Sequence, residues 1–188
     1  MTQPMETPQL LARAAQGDAQ AWREVVERWG PRVFAFVRSH ANDPELAEEI
    51  AQSVFCTVAR KLPDYVEQGR FESWLFRIAL NRLRDEMRRR KRQARPMDAE
   101  VLGDLGPAAT PEQRATAEEL AALRESMQHL GEADRLVIDL RHQGGMGFQQ
   151  MADLLNEPLG TLLARHHRAL RKLRDLIRRR LGEEEEEP

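Results

Sequence analysis

Positive charge is concentrated in one segment of this 188-residue chain. Between residues 77 and 95, nine side chains are cationic and only two are acidic. The cations are Arg77, Arg82, Arg84, Arg88, Arg89, Arg90, Lys91, Arg92 and Arg95. Phe71, Trp74 and Leu75 begin the same helical pattern, so an apolar, aromatic start is followed by a basic end. Because cations hold phosphates and aromatic rings stack on bases, we expect nucleic-acid contact here. Complementing a helix dipole would need only about two or three such charges.

A second group of cations lies near the C-terminus. Residues 165–180 contain eight of them, namely Arg165, Arg168, Arg171, Lys172, Arg174, Arg178, Arg179 and Arg180. The chain then ends in five glutamates and a proline, and its formal net charge is −2. This small total conceals two basic regions, and the local field governs phosphate binding. The acidic tail is either a solvated end or a segment that competes with DNA for the second group.

Side chains that support catalysis or metal binding are not arranged for either. His166 and His167 are adjacent, so they point to different faces of a helix and do not chelate one ion. The single cysteine, Cys56, lies among Val54, Phe55 and Val58, which predicts a small buried side chain. We find no Ser-His-Asp group and no glycine-rich phosphate loop. We therefore expect no enzyme activity, no catalytic residue, no cofactor and no metal.

The elements that carry these residues are predicted to be helices throughout. Asp18 and the run Asn42-Asp43-Pro44 are helix start signals, and Gly30-Pro31 is predicted to interrupt the helix that follows Asp18. The predicted helices of the first half cover residues 9–15, 18–40, 43–62 and 71–92. The N-terminus lacks the features of a signal peptide, and no apolar run is long enough for a membrane span. We expect a cytoplasmic protein.

Residues 96–110 contain two prolines, two glycines and three acids without helical periodicity, which predicts a flexible acidic linker. The predicted fold class is therefore all-α, with two small helical domains at residues 1–95 and 111–181 and an acidic tail at 182–188.

The second domain contains the pattern of a helix-turn-helix. A short helix at 148–155 is followed by Asn156, which tolerates left-handed geometry, and by a longer basic helix that starts at Pro158. In this motif the second helix enters the major groove. We expect a winged-helix-like or four-helix DNA-binding domain. The side chains predicted to face its core include Leu120, Leu123, Met127 and Leu130, and then Phe148, Met151, Leu154, Leu155, Leu159, Leu162, Leu170, Leu173 and Ile177.

Three blocks in this order resemble the bacterial RNA polymerase sigma factors of the extracytoplasmic-function class. They are DPELAEEIAQSVF, FESWLFRIALNRLRDEMRRRKR and PLGT, within a resemblance that covers about residues 10–177. The resemblance implies a protein that binds core RNA polymerase, recognises the −10 and −35 elements of promoter DNA and helps to open the promoter. It also implies an anti-sigma factor as a partner. The alternative is a stand-alone helix-turn-helix regulator that binds DNA without polymerase.

The resemblance also implies which residues form each contact in the first domain. The polymerase-binding residues are implied to be Glu48, Glu49, Gln52, Ser53 and Phe55. Ser53 stands where the family usually has an acid. The loop 63–70 and the basic helix are implied to bind the −10 element, where the family captures a flipped base. The residues implied for this element are Arg77, Asn81, Arg82, Arg84, Arg88 and Arg89.

In the second domain, the residues implied to contact the −35 element are Thr161, Leu163, Ala164, Arg165, Arg168 and Arg171. Relatives commonly have a lysine and a serine where Leu163 and Ala164 stand. Apolar side chains contact thymine methyl groups but do not pair with guanine edges. Either a T-rich or shape-defined element is recognised, or this helix contributes less direct readout; alternatively, Leu163 packs on a neighbouring helix or a partner.

Overall fold

The computed structural model describes residues 6–41, 43–93 and 111–181. These residues form eight α-helices, one 3-10 turn at Leu62–Asp64 and no β-strand, which confirms the all-α class. The helices are α1 (Thr7–Ala15), α2 (Ala19–His40), α3 (Pro44–Lys61), α4 (Phe71–Gln93), α5 (Pro111–Gln128), α6 (Glu132–His142), α7 (Phe148–Leu155) and α8 (Leu159–Leu181). Helices α1 to α4 build one compact unit and α5 to α8 supply the body of a second. The predicted linker at 96–110 and the tail at 182–188 lie outside the described residues.

Two aspartates begin helices of the first unit, as the sequence predicts. Asp18 caps α2, and its carboxylate accepts hydrogen bonds from the backbone N–H groups of Gln20 at 2.9 Å and Ala21 at 3.1 Å. Asp43 caps α3 and accepts from the backbone N–H of Glu45 at 3.0 Å. Both caps satisfy backbone donors that have no partner within the helix.

Helix α2 runs without a break through Gly30 and Pro31, so the predicted interruption is wrong. Proline lacks an N–H and normally costs a helix interior about 3 kcal/mol. The helix persists because its buried face continues on both sides of the proline, with Trp29 before it and Val33 and Phe36 after it. Each fully buried side chain of this size contributes about 1.5–3 kcal/mol, which together outweighs the lost hydrogen bond.

Cys56 is exposed, so the prediction that it is buried is also wrong. Helix α3 buries Ile50, Val54 and Val58 at a spacing of four residues. At about 100° per residue, Cys56 lies roughly 200° away from Val54 and therefore on the opposite face.

Aromatic side chains pack α4 against α2. The ring centroids of Trp29 and Phe71 are 4.8 Å apart, and those of Phe36 and Phe76 are 5.5 Å apart, both with edge-on geometry. Leu75 is also fully buried on this face of α4. Such pairs contribute about 0.5–1.5 kcal/mol beyond their buried area. They fix the rotation of α4 about its axis and so decide which side chains face outward.

The described part of the second unit has four helices and no strand, so it is a four-helix domain without a wing. Asn156 joins α7 to α8 with φ 54° and ψ 45°, the left-handed geometry that the sequence predicts. Leu130, just after α5, Ile138 of α6 and Ala169 and Leu173 of α8 form a buried cluster, against which Met127 of α5 packs.

Four of the leucines predicted to face this core are exposed instead. They are Leu120 (46% exposed), Leu123 (37%), Leu159 (39%) and Leu170 (37%). Helix α5 turns Ala122 and Ser126 inward, Leu130 is buried just after its end, and α8 turns Leu162, His166, Ala169 and Leu173 inward. The buried faces are therefore rotated away from the leucine-rich faces, because smaller residues allow the helices to approach each other. Of the others, Met151 is buried, and Met127, Phe148, Leu154, Leu155 and Ile177 are half-buried.

No helix in the described ranges is both long and apolar enough to span a membrane.

Candidate nucleic-acid interface

The outer face of α3 presents the residues implied to bind polymerase. Glu48, Glu49 and Gln52 are exposed, and Ser53 and Phe55 are half-buried. The Phe55 ring lies edge-on to Trp22 of α2 with centroids 6.4 Å apart, so α2 supports this end of the face. The outer face of α3 is therefore acidic, and the contact between Phe55 and Trp22 packs it against α2.

One exposed stripe of α4 carries four of the residues implied to bind the −10 element. Arg77, Asn81, Arg84 and Arg88 are exposed and recur at spacings of four, three and four. This spacing places them on one helix face, opposite the buried Leu75 and the rest of the apolar side. The stripe extends for about 16 Å along the helix at 1.5 Å per residue. A row of guanidinium groups of this length can track a nucleic-acid backbone.

Three further cations of α4, Arg82, Arg89 and Arg90, contact groups of the same unit. Arg82 donates to the Thr57 hydroxyl of α3 at 2.8 Å. Arg89 forms two 2.8 Å hydrogen bonds with Glu86, which are the main cause of the lowered pKa of that carboxyl. Arg90 lies 3.4 Å from Glu86 and 3.5 Å from Asp43. The structure thus separates Arg82 and Arg89 from the other residues implied for the −10 element.

A groove of about 440 Å³ lies between α3 and α4. Its lining residues are Leu46, Glu49, Ile50, Ser53, Arg82, Asp85, Glu86, Arg89 and Arg92. Two residues implied to bind polymerase, Glu49 and Ser53, therefore share a groove with Arg82 and Arg89. The two predicted contact surfaces of the first unit meet along this groove.

The loop before α4, already implied for the −10 element, contains two side chains that the sequence-based site did not name. Tyr65 lies against the half-buried Trp74, with ring centroids 4.5 Å apart and planes inclined by 33°. Burial, and then the nearby Glu67 carboxylate, raise the pKa of Tyr65 to about 12. Val66 next to it is 71% exposed. In the sequence, an aromatic residue and a valine within an otherwise polar loop were the signal for an apolar contact surface here.

The outward face of α8 brings together four of the residues implied for the −35 element. Thr161, Ala164, Arg168 and Arg171 are exposed and cover one side of the helix. Leu163 is half-buried and lies on a different flank, close in angle to the exposed Leu159 and Leu170.

Arg165 is half-buried and forms an ion pair with Glu157, in the turn between α7 and α8. The sequence-based site did not include Glu157. Its spacing of eight residues from Arg165, across a proline, gave no signal of a contact.

No group of three or more histidine, cysteine, aspartate or glutamate side chains in the described ranges is placed to hold a metal ion.

Comparison with protein families identifies both units. Residues 25–93 match the model for Sigma-70 region 2, and residues 126–175 match the model for Sigma-70, region 4. The RNA polymerase sigma factor NccH of Alcaligenes xylosoxydans xylosoxydans is 33% identical over 186 residues, which cover 94% of this chain and 97% of NccH. CnrH of Cupriavidus metallidurans, also an RNA polymerase sigma factor, is 32% identical over 176 residues, with coverage of 89% and 92%.

Solved structures show the same fold. CnrH in complex with the cytosolic domain of CnrY superposes with a TM-score of 0.62 at 28% identity, covering 89% of this chain and 94% of CnrH. The sigma factor RpoE in complex with the anti-sigma factor NepR, from Bartonella quintana, gives a TM-score of 0.66 at 19% identity, with coverage of 85% and 98%.

A stand-alone helix-turn-helix regulator is not favoured, because such a protein would not account for the match of α2 to α4 with Sigma-70 region 2. Sigma factors act in transcription initiation without being enzymes. The chain belongs to the extracytoplasmic-function class of RNA polymerase sigma factors, which bind core polymerase and direct promoter-specific transcription initiation.

Proposed function

We propose that the first unit docks on core RNA polymerase through the outer face of α3 and binds the −10 element through α4 and the loop before it. The second unit recognises the −35 element through the outward face of α8. The observation that carries this assignment is the exposed stripe of Arg77, Asn81, Arg84 and Arg88, next to the acidic face of α3 in the same unit.

On α4, arginine and asparagine serve different parts of the promoter. Arg77, Arg84 and Arg88 hold backbone phosphates, which fix the position of the strand without carrying sequence information. Asn81 lies between them on the same exposed face, which supports pairing of its amide with a base edge. Arg82 and Arg89 have partners on their own unit and support the α3–α4 groove beside the polymerase-binding face.

On α8, the exposure of Ala164 supports contact with a thymine methyl group. Ala164 shares the outward face with Thr161 and Arg168, so its methyl is accessible to a base in the major groove. Leu163 lies on another flank and is half-buried, which supports packing rather than base contact. We infer a −35 element that includes thymine, held in place by Arg168 and Arg171.

We infer an anti-sigma factor as a further partner, because the sigma factor RpoE was solved in complex with the anti-sigma factor NepR, and CnrH was solved in complex with the cytosolic domain of CnrY. We also place the protein in the cytoplasm, where core polymerase and promoter DNA are found together.

Capture of core polymerase tests the docking surface. In an E48K/E49K variant, two adjacent exposed acids of α3 become cations. We expect the Kd for core polymerase to rise about tenfold or more, which corresponds to about 1.4 kcal/mol. The matched control is E118K/E119K, which reverses two adjacent exposed acids on α5 and should bind like the unmodified protein. Equal Kd values for E48K/E49K and the unmodified chain would show that α3 is not the docking surface.

A further inference from the structure

Arg165 is held by a residue of the turn that precedes its helix. Its Nη1 donates to Oε1 of Glu157 at 2.9 Å, and its Nη2 lies 2.7 Å from Oε2. This is the two-point geometry that a planar guanidinium forms with a carboxylate. The Arg165 side chain is 19% exposed, although it belongs to a helix face whose other arginines are open to solvent. The pair joins the turn to the second turn of α8.

A second carboxylate acts on the same guanidinium. Asp134, in the first turn of α6, adds to the attraction that Glu157 exerts on Arg165. The hydrogen bonds from Arg165 to Glu157 are the main reason that the pKa of Arg165 lies above its ordinary value. A phosphate that approaches Arg165 therefore meets two negative charges and must displace a partner that already occupies both Nη groups.

Arg168 and Arg171 differ from Arg165 in solvent exposure and in contacts with other side chains. Both are exposed, and neither side chain is tied by a hydrogen bond or ion pair to another residue in the described part of the chain. They can bind a phosphate without giving up an internal contact.

We propose that Arg165 clamps the turn of the helix-turn-helix and that Glu157 withholds it from DNA, so that α8 holds phosphates with Arg168 and Arg171 instead. Glu157 is then a positioning residue that acts through Arg165. The inference rests on the proposed function, because it requires that α8 contacts duplex DNA.

The dependence of DNA affinity on salt counts phosphate contacts and so tests this inference. The full chain is titrated onto a labelled DNA duplex of mixed sequence by fluorescence anisotropy at several salt concentrations. Each phosphate contact adds about 0.9 to the magnitude of the slope of log K against log salt. We expect R168Q to lower this magnitude by about 0.9 and R165Q to leave it unchanged. E157Q frees Arg165, so the magnitude should increase toward one additional contact. E157Q/R165Q should return to the value of the unmodified chain.

Asp153→Asn is the matched control for E157Q. It removes an exposed acid from α7 of the same motif, but Asp153 contacts Gln149 rather than an arginine. We expect no change in its salt slope, which separates release of Arg165 from the simple loss of a negative charge.

Three results overturn the inference. The first is a loss of about 0.9 in R165Q, and the second is no increase in E157Q. Because E157Q removes the charge and one of the two oxygens that hold Arg165 but keeps the size of the side chain, this test remains valid where R165Q is poorly folded. The third is an increase in E157Q that persists in E157Q/R165Q. If neither R165Q nor R168Q changes the slope, α8 does not hold duplex DNA, and the proposed function of the second unit fails as well.

Discussion

Glu72 connects the first turn of α4 to α2 and so helps to fix the exposed stripe of Arg77, Asn81, Arg84 and Arg88. Arg32 donates to its two carboxylate oxygens at 2.6 and 3.1 Å, and the indole N–H of Trp29 donates at 3.3 Å. Burial alone raises the pKa of Glu72, but the hydrogen bonds from Arg32 and Trp29 and the charge of Arg32 outweigh burial, and the pKa is lowered.

We expect Glu72→Gln to lower the free energy of unfolding of the first unit by about 1 kcal/mol near pH 7. The figure is that of a charge-assisted hydrogen bond, reduced because the carboxylate is partly solvated. Since the pKa is depressed in the folded state, the stabilisation is present above the unfolded value of 4.5 and is lost as pH falls through the folded value. Urea unfolding followed by tryptophan fluorescence measures this, because Trp22, Trp29 and Trp74 all lie in the first unit.

The control is Glu118→Gln, which changes an exposed acid of α5 and should match the unmodified protein at every pH. A stability difference for E72Q that is the same at pH 7 and well below pH 4.5 would contradict an ionic role for Glu72.

At the level of the helix, α4 has one flank that we propose to face DNA and another that contacts α3. The first flank carries Arg84 and Arg88, and the second carries Arg89 and Arg90, which contact Glu86. The two pairs have the same charge and lie within one segment. A comparison between them therefore isolates the effect on DNA binding of the flank on which each pair lies.

We expect R84Q/R88Q to weaken the salt dependence of binding to a single-stranded oligonucleotide, with a loss of about 1.4 in slope magnitude. The figure corresponds to about 0.7 for each of two phosphate contacts with a single strand. R89Q/R90Q is the matched control, and its loss should be less than half as large because its arginines are occupied by Glu86 and Asp43. Measurement of full-chain affinity over a range of salt concentrations checks this. Equal losses in the two variants would mean that α4 has no preferred DNA-binding flank.

Helix starts and the sharp turn could be predicted because they depend on neighbours in the sequence. Asp18, Asp43 and Asn156 satisfy local backbone requirements, and the structure confirms each one. The rotation of a helix depends on what packs against it, so the leucine-rich face of α5 was mistaken for its buried face. The continuity of α2 through Pro31 has the same origin in tertiary packing.

In the candidate site, too, some features follow from the local sequence and others depend on tertiary contacts. The positions of the cations on α4 and α8 follow from helical spacing, so an outward basic face could be predicted. The cations that contact other residues of their own unit could not be predicted. For example, Arg82 and Thr57 are 25 positions apart in the sequence and lie on two different helices. The pair of Arg165 and Glu157 depends on the geometry of the turn, which residue types alone do not specify.

At the level of the whole molecule, two units each carry a basic surface in a chain of net charge −2. Neither surface needs to bind tightly alone, since a second contact made by a tethered unit benefits from a high effective concentration. Docking of core polymerase on α3, as proposed, would supply a third contact. Promoter recognition by this protein is therefore expected to require all three contacts together.

Transcription by reconstituted polymerase tests the central claim most directly. Core RNA polymerase is mixed with a library of promoter fragments, with and without the chain, and the 5′ ends of the transcripts are sequenced. We predict that transcripts start at defined positions only when the chain is present, and that the upstream DNA of these positions shares one −10 and one −35 element. Start positions that are the same with and without the chain would contradict its role as a sigma factor.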